Sequence, residues 1–443
     1  IPDGKMQVFL ADKELEFYRF HLEKILRYRC HTLSEKEEEL LAASGEMGRG
    51  MRDVFDMLDN ADLKLGEIED EKGETFTLTH GNFQSILQSY DRRVRRDAFN
   101  TYYKAYESHQ YTYSTLLAGS IKKDLFYSRS KKFPSYRAKA LFSENIPVEV
   151  YDNLIESVHQ NLDPLYKYFD LRKRLLDLDK LHIYDCNVPL VKDMKWHMPF
   201  DQAVEEIKSA LNPLGKEYVE QLGCGLSVDR WTDRYENKGK RSGAYSSGCY
   251  DSNPFILMNY REDNINSAYT LAHEAGHSMH SFYSRKNQPY LYSDYTIFVA
   301  EVASTFNESL LTRHFLSQDI ALDMRIYLIC REIDNFRGTL YRQTMFAEFE
   351  YQVYKAMEGN EPLTLETFKK IYRDLLERYF GSGVVLDDCL SLECLRIPHF
   401  YFSFYVYKYA TGISAAYALA DRVISGGQTE LNDYLGFLKS GGS

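Results

Sequence analysis

One segment, SAYTLAHEAGHSMHSFY at residues 267–283, combines residue types that can bind a metal ion and activate water. His273 and His277 are four positions apart. On an α-helix this spacing is about 40° of rotation and about 6 Å of rise, so both imidazoles project from one face. Such a pair can share a tetrahedral Zn²⁺, and Glu274 could reach a water on that ion without binding the ion. This HExxH pattern arises by chance in about two of every hundred chains of this length, so the surrounding sequence must decide whether it is a metal site.

A catalytic zinc needs a third protein ligand and an open fourth position. His280 lies on the same face, but about 10 Å along the axis from the first histidine, too far to share one ion with it. We expect His280 to support the site without binding metal, or to be a polar residue of the core. The segment TIFVAEVASTFNESLL (296–311) offers Glu301 and Glu308 on one face of an apolar helix. A carboxylate buried there is costly unless it has a cationic partner, so this helix is the predicted source of the third ligand.

The elements that must position these residues are mainly helices. Ser34 and Glu37 form a capping-box pattern at the start of one of them, which we expect to end before Gly45. Gly276 inside the HExxH helix predicts close packing against a neighbouring strand. Apolar residues recur at helical spacing in the following ranges: 11–28, 34–43, 83–130, 296–316, 321–358 and 364–380.

Two segments favour β-structure instead. Residues 63–79 contain two alternating runs around an acidic turn, which is typical of a hairpin. The segment GAYSSGCYDSNPFILMNY (243–260) contains a β-like run from Phe255 to Tyr260 and precedes the HExxH helix directly. Residues 243–247 could be an edge strand that pairs with an extended peptide, or one arm of a plain hairpin.

Composition narrows the possible partners. The net charge of −11 argues against nucleic acid or an anionic membrane. The run of arginines from Arg92 to Arg96 is predicted to be a solvated helix face. No apolar run approaches the roughly 18 residues of a membrane span, and the first residues lack the pattern of a signal peptide. The seven cysteines, without a CxxC pair, favour free thiols. We therefore expect a cytoplasmic protein.

Three separated motifs resemble one known family. HEAGHSMH, FVAEVASTFNE and IPHFYFSFYVYKYATG (397–412) together resemble oligoendopeptidase F, within the thimet-oligopeptidase-like zinc metallopeptidases. The similarity covers nearly the whole chain. It implies a mainly α, elongated helical fold with a deep substrate channel and a small β-sheet next to the HExxH helix. It further implies an N-terminal helical region at 1–75 and a catalytic metallopeptidase domain at 76–443.

The resemblance also implies roles for individual residues. His273, His277 and Glu301 would bind one Zn²⁺ per chain. Glu274 would be the general base, and Glu308 would orient a ligand imidazole by a hydrogen bond. A histidine and one or two tyrosines of 397–412 would face the scissile carbonyl and stabilise its oxyanion. The candidates for this last role are His399, Tyr405 and Tyr407.

The implied function is a zinc-dependent endopeptidase that cleaves internal bonds of short unstructured peptides. A zinc carboxypeptidase or dipeptidyl carboxypeptidase of the same superfamily is an alternative, although no motif indicates a group that would close one end of the channel. A non-catalytic peptide-binding protein with a structural zinc is a further alternative, but it would not need Glu274. The chain starts at Ile1 and is shorter at both ends than members of this family, so we expect a fragment. No pattern in the sequence indicates an oligomeric state.

Overall fold

The computed structural model describes residues 2–192 and 194–442, and this part of the chain is mainly helical, as predicted. The first helices are α1 (Asp3–Ala11), α2 (Arg19–Arg27) and α3 (Glu35–Met57). The capping box is confirmed, because the amide of Ser34 donates to Glu37 Oε2 at 2.9 Å. The predicted end before Gly45 is wrong. The helix continues because it packs closely on a neighbour: a Cβ on Gly48 would lie 3.2 Å from the hydroxyl of Tyr127.

The middle of the chain supplies a scaffold of shorter helices. Those that start at residues 148 and 200 follow prolines, with Pro147 and Pro199 at the N-cap positions. The helices are α4 (His80–Ile86), α5 (Arg92–Glu107), α6 (Gln110–Ser130), α7 (Tyr136–Phe142), α8 (Val148–Gln160), α9 (Asp163–Leu175), α10 (Phe200–Ala210) and α11 (Lys216–Ser227).

The arginine run at the start of α5 is not simply a solvated face. Arg95 is only 3% exposed, and its guanidinium donates to Asp185 Oδ1 at 2.7 Å. Arg92 donates to both oxygens of the same carboxylate. The prediction is therefore wrong for Arg95, because a buried aspartate distant in sequence holds it in an ion pair, whereas the side chain of Arg92 is 41% exposed while it pairs with the same aspartate.

The strands are short and form three small sheets. The predicted hairpin is confirmed as β1 (Glu67–Glu69) and β2 (Thr75–Thr77). A parallel pair joins β3 (Leu181–His182) to β7 (Val384–Val385). The third sheet has the order β4-β6-β5, from β4 (Thr232–Asp233), β5 (Tyr245–Ser247) and β6 (Phe255–Leu257). Its edge strand β5 runs antiparallel to β6 and contacts the HExxH helix, so the small sheet beside that helix is confirmed.

The HExxH motif lies in a long helix of the C-terminal half. This helix, α12 (Ile265–Asn287), is followed by α13 (Ile297–Ser317), and the two pack against each other along their length. α18 (Tyr407–Ser425) lies against α13 on another side. The remaining helices are α14 (Leu322–Asn335), α15 (Arg342–Glu358), α16 (Leu365–Phe380), α17 (Glu393–Arg396) and α19 (Gln428–Lys439), with a π-helical turn at Phe336–Tyr341 between α14 and α15.

Two hydrophobic clusters support this arrangement. One is built from α3 to α9 together with α15 and α16, and the other surrounds the interface of α12 and α13. The face of α12 opposite its histidine pair is fully buried in the second cluster through Leu271, Ala272 and Ala275. Among the described residues, no helix combines the length and apolarity required to cross a membrane.

Candidate metal centre

Three donor side chains from two helices meet at one point. The Nε2 atoms of His273 and His277, both on α12, lie 3.3 Å and 3.5 Å from Glu301 Oε2 on α13. The three side chains are partly exposed, by 27%, 19% and 30% respectively. They are therefore fixed by the helices behind them and remain open to solvent on one side.

These distances suit a tetrahedral metal ion. Ligands about 2.0–2.1 Å from a tetrahedral centre lie about 3.3 Å from one another. His273, His277 and Glu301 are also a group of metal-ligating residue types whose donor atoms all lie within 4.8 Å of one another. Two imidazoles with one carboxylate form a donor set that occurs in catalytic zinc sites with an open fourth position.

The side chain of Glu308 fixes the orientation of one imidazole. Its Oε1 lies 2.7 Å from Nδ1 of His273, which leaves Nε2 directed at Glu301. Burial lowers the pKa of His273, but the two carboxylates outweigh this effect and raise it to about 10. The guanidinium of Arg331 lies 3.6 Å from Glu308 Oε2 and stacks on the ring of Tyr269, one turn before His273. A chain of contacts thus connects α14 to the imidazole.

The glycine inside the motif permits the close approach of the two helices. A Cβ on Gly276 would lie 2.5 Å from the carbonyl oxygen of Ala303 and 2.6 Å from Cα of Ser304. Both are backbone atoms of α13, so the neighbour is a helix rather than the predicted strand. Close packing was predicted correctly and its partner was not. The contact lies within one turn of Glu301, so it helps to set the distance between that carboxylate and the histidines.

The carboxylate of Glu274 is bound to the small sheet that lies beside α12. The residue is 6% exposed, and its carboxylate accepts a hydrogen bond from the backbone of Ser246 on β5. Ser246 is bound to α12 a second time, since its hydroxyl lies 2.8 Å from that of Ser278. Burial raises the pKa of Glu274, although His273 and His277 act in the opposite direction. Among the described residues, no partner bonds to its buried Oε2.

The third histidine of the motif belongs to the core. His280 is 1% exposed, and its ring is stacked on Tyr295 with a centroid distance of 3.6 Å. Burial, with a contribution from His277, lowers the pKa of His280 to about 3. It is therefore neutral and lies outside the group of three donors.

The segment 397–412 brings a group of polar rings toward the donors. The ring of His399 lies 5.9 Å from that of Tyr405 and 6.1 Å from that of Tyr409, and the two tyrosines are 5.5 Å apart. We call these three residues the His–Tyr cluster. Burial, Tyr405 and the charge of Glu301 all raise the pKa of Tyr409, which places this hydroxyl within electrostatic reach of a candidate metal ligand. Tyr409 was not among the predicted site residues, and only its spacing of four from Tyr405 could have indicated it.

Tyr407 is separated from the His–Tyr cluster. Its side chain is fully buried against Tyr151 and Phe298, at centroid distances of 5.1 Å and 6.2 Å. Among the described residues, no partner bonds to its hydroxyl. Its role as an oxyanion donor stays a prediction, and the core position makes Tyr405 the stronger candidate of the two.

Sequence comparisons identify the family. The family model described as Peptidase family M3 matches residues 85–443, and the model described as Oligopeptidase F matches residues 1–64. The chain belongs to peptidase family M3. Among the M3 relatives, the oligopeptidase PepF of Bacillus subtilis is 47% identical over 444 residues, a match that covers all of this chain and 66% of that protein. An oligoendopeptidase F homolog of Borreliella burgdorferi is 41% identical, with 100% and 74% covered.

Two solved structures show the same fold. The crystal structure of a putative peptidase from Chlamydophila abortus matches with a TM-score of 0.95 at 40% identity, covering 100% of this chain and 74% of that one. The oligoendopeptidase-F structure from Enterococcus faecium matches with a TM-score of 0.81 at 35% identity and the same coverage. The chain thus spans just under two thirds of the Bacillus relative, and about three quarters of the others.

Proposed function

We propose that this chain is a zinc-dependent oligoendopeptidase that hydrolyses internal bonds of short, unstructured peptides. The observation that carries the proposal is the placement of His273, His277 and Glu301 at mutual distances suited to one zinc ion, with Glu274 beside them. The names of the M3 relatives support the activity. The seven free cysteines support a reducing compartment such as the cytoplasm.

Each residue of the proposed site would have a separate role in peptide hydrolysis. Bound zinc would lower the pKa of a water and polarise the scissile carbonyl. Glu274, through the unpaired Oε2, would accept the proton of the attacking water and pass it to the leaving amine. Glu308 would keep His273 in the tautomer that presents Nε2 to the ion.

The His–Tyr cluster would stabilise the charge that develops on the carbonyl oxygen. Burial lowers the pKa of His399, so its ring is neutral at neutral pH and still has one N–H to donate. Tyr405 is partly exposed and lies beside it. Donors aimed at a developing oxyanion act mainly in the transition state, so they raise kcat more than they lower KM.

Three measurements test the proposal. Metal analysis of the gently purified chain should find about one zinc per molecule, and a chelator should abolish cleavage of an unstructured peptide. Mass spectrometry of the products should then show internal cuts. Release of terminal dipeptides alone would instead indicate a dipeptidyl carboxypeptidase. Bound zinc without any cleavage would indicate a peptide-binding protein with a structural metal.

A further inference from the structure

The segment that carries the His–Tyr cluster contains a bulky residue in an unusual backbone conformation. Phe404 has a φ of +62°, in the left-handed region. A residue as large as phenylalanine is a clear outlier there. Such conformations persist only where the surrounding structure enforces them, and they concentrate at functional sites. Contacts from elsewhere in the molecule must therefore hold Phe404.

One buried carboxyl group supplies the polar part of that support. Oε1 of Glu350, on α15, accepts a hydrogen bond from the amide of Phe404 at 3.0 Å, although the two residues are 54 positions apart. Glu350 is 1% exposed. The phenylalanine ring is enclosed by Tyr136, Tyr151 and Tyr354, with centroid distances of 5.8 Å, 5.4 Å and 5.2 Å. The rings enclose the side chain, and Glu350 holds the backbone.

The carboxyl group of Glu350 makes no hydrogen bond through its second oxygen, Oε2, to any of the described residues. Burial raises its pKa well above the ordinary value, and the Phe404 amide only partly opposes this. The accepting oxygen of Glu350 is the part of the side chain that glutamine would also provide.

The turn at Phe404 determines which side chains meet at the site. His399 lies before it in the chain, and Tyr405 and Tyr409 lie after it. Their rings nevertheless lie within about 6 Å of one another, and the chain bends at Phe404 between them. In an extended conformation at residue 404, the next side chain would point to the opposite face of the segment.

We propose that Glu350 is a positioning residue of the peptidase site, which fixes the left-handed turn at Phe404 and thereby assembles the His–Tyr cluster. This inference rests on the proposed function. Glu350 itself touches neither the donors nor the cluster. Its effect reaches the site through one amide and the turn that the amide stabilises.

The test compares two buried glutamates on the same helix. Glu350→Leu removes the acceptor and should lower kcat by about 10²-fold, since misplaced groups can cost this much. Zinc content should stay unchanged, and KM should change much less than kcat. Glu350→Gln keeps an accepting oxygen and should leave kcat near that of the parent chain. The matched control is Glu348→Leu. Glu348 is also buried on α15, at 5% exposed, but contacts His159, Arg378 and Tyr379, outside the cluster.

A rescue variant separates positioning from general loss of stability. Glycine adopts positive φ without a steric penalty, so Phe404→Gly should need no anchor. Adding it to Glu350→Leu should recover most of the lost kcat, even though it removes a buried ring and lowers the melting temperature. A purely structural role for Glu350 predicts the opposite for kcat, namely a further loss, while the melting temperature falls in either case.

Three outcomes would overturn the inference while leaving the proposed function intact. They are a folded Glu350→Leu variant that matches Glu348→Leu in kcat, a Glu350→Gln variant as impaired as Glu350→Leu, and a failed rescue by Phe404→Gly. If Glu350→Leu does not fold, Glu350→Asp takes its place, because its shorter side chain withdraws the acceptor. The Asp variant should then fall below the Gln variant, and equality would refute the role. A parent chain that cleaves no peptide would overturn the proposed function itself.

Discussion

Replacing Gly276 by alanine should disturb the metal centre without touching a ligand. The new Cβ would lie 2.5 Å from the carbonyl oxygen of Ala303, whereas ordinary contact begins at 3.4 Å. The obstacle is backbone, so α12 and α13 must separate locally by about 0.9 Å, the difference between these distances. Glu301 lies less than one turn from Ala303, so it moves with α13 and away from the histidines.

The expected magnitudes follow from this separation. Overpacking costs about 1–3 kcal/mol, and the better helix propensity of alanine returns about 1 kcal/mol, so the free energy of unfolding should fall by about 1 kcal/mol. Zinc–ligand distances tolerate only about 0.2 Å, so a displacement of this size should weaken zinc binding by at least about tenfold.

The assay needs two measurements and one control. Competition with a chromophoric chelator gives the zinc affinity, and urea unfolding of the metal-free chain gives the stability. The control is Gly45→Ala on α3, where nothing lies within 4 Å of the new Cβ, so the same substitution should stabilise by about 1 kcal/mol. The reasoning fails if both variants shift the stability in the same direction, or if Gly276→Ala binds zinc as tightly as the parent chain.

Three further predictions concern individual side chains of the site. Glu274→Gln should retain zinc and lower kcat by roughly 10²–10⁴, and loss of the metal would show that this carboxylate coordinates it. Glu301→Ala should weaken zinc binding severely, and Glu308→Ala should weaken it by only about 10–100-fold. Chelator competition that shows the larger loss of affinity in Glu308→Ala would contradict this order. Tyr405→Phe should lower kcat by roughly 10²–10³ with zinc content unchanged. Tyr407→Phe should have little effect on kcat, because Tyr407 is buried in the core. Steady-state kinetics that show the larger loss of kcat in Tyr407→Phe would contradict this assignment.

Helical periodicity accounts for the features that could be predicted from the sequence. The spacing of His273 and His277 placed both imidazoles on one face of α12. The apolar surroundings of Glu301 indicated a buried helix whose carboxylate needs a cationic partner. Both inferences depend on residues within one element, where rise and rotation are fixed. The mainly helical fold followed in the same way, because most segments show one clear period.

The features that could not be predicted depend on contacts between distant residues. The anchor of Phe404 is a glutamate 54 positions away, and nothing local in FYFSFYVYKY marks a left-handed residue. That turn precedes Tyr405, and the structure groups Tyr405 with Tyr409, whereas Tyr407 is buried in the core. The partner of Gly276 was missed for the same reason, since a glycine indicates a close approach without naming the element that approaches.

The order of the two donor-bearing helices along the chain has a consequence for folding. α12 and α13 are consecutive, and His273 meets Glu308 only 35 positions later. Contacts of this kind close early, because the loop that must be ordered is short. α18 and the His–Tyr cluster reach the same place only after a much longer stretch of chain. The half of the site that carries the three proposed zinc ligands can therefore assemble as a helical hairpin before the His–Tyr cluster arrives. If the proposal is right, zinc added during refolding should accelerate protection of α12 and α13 from hydrogen exchange ahead of α18.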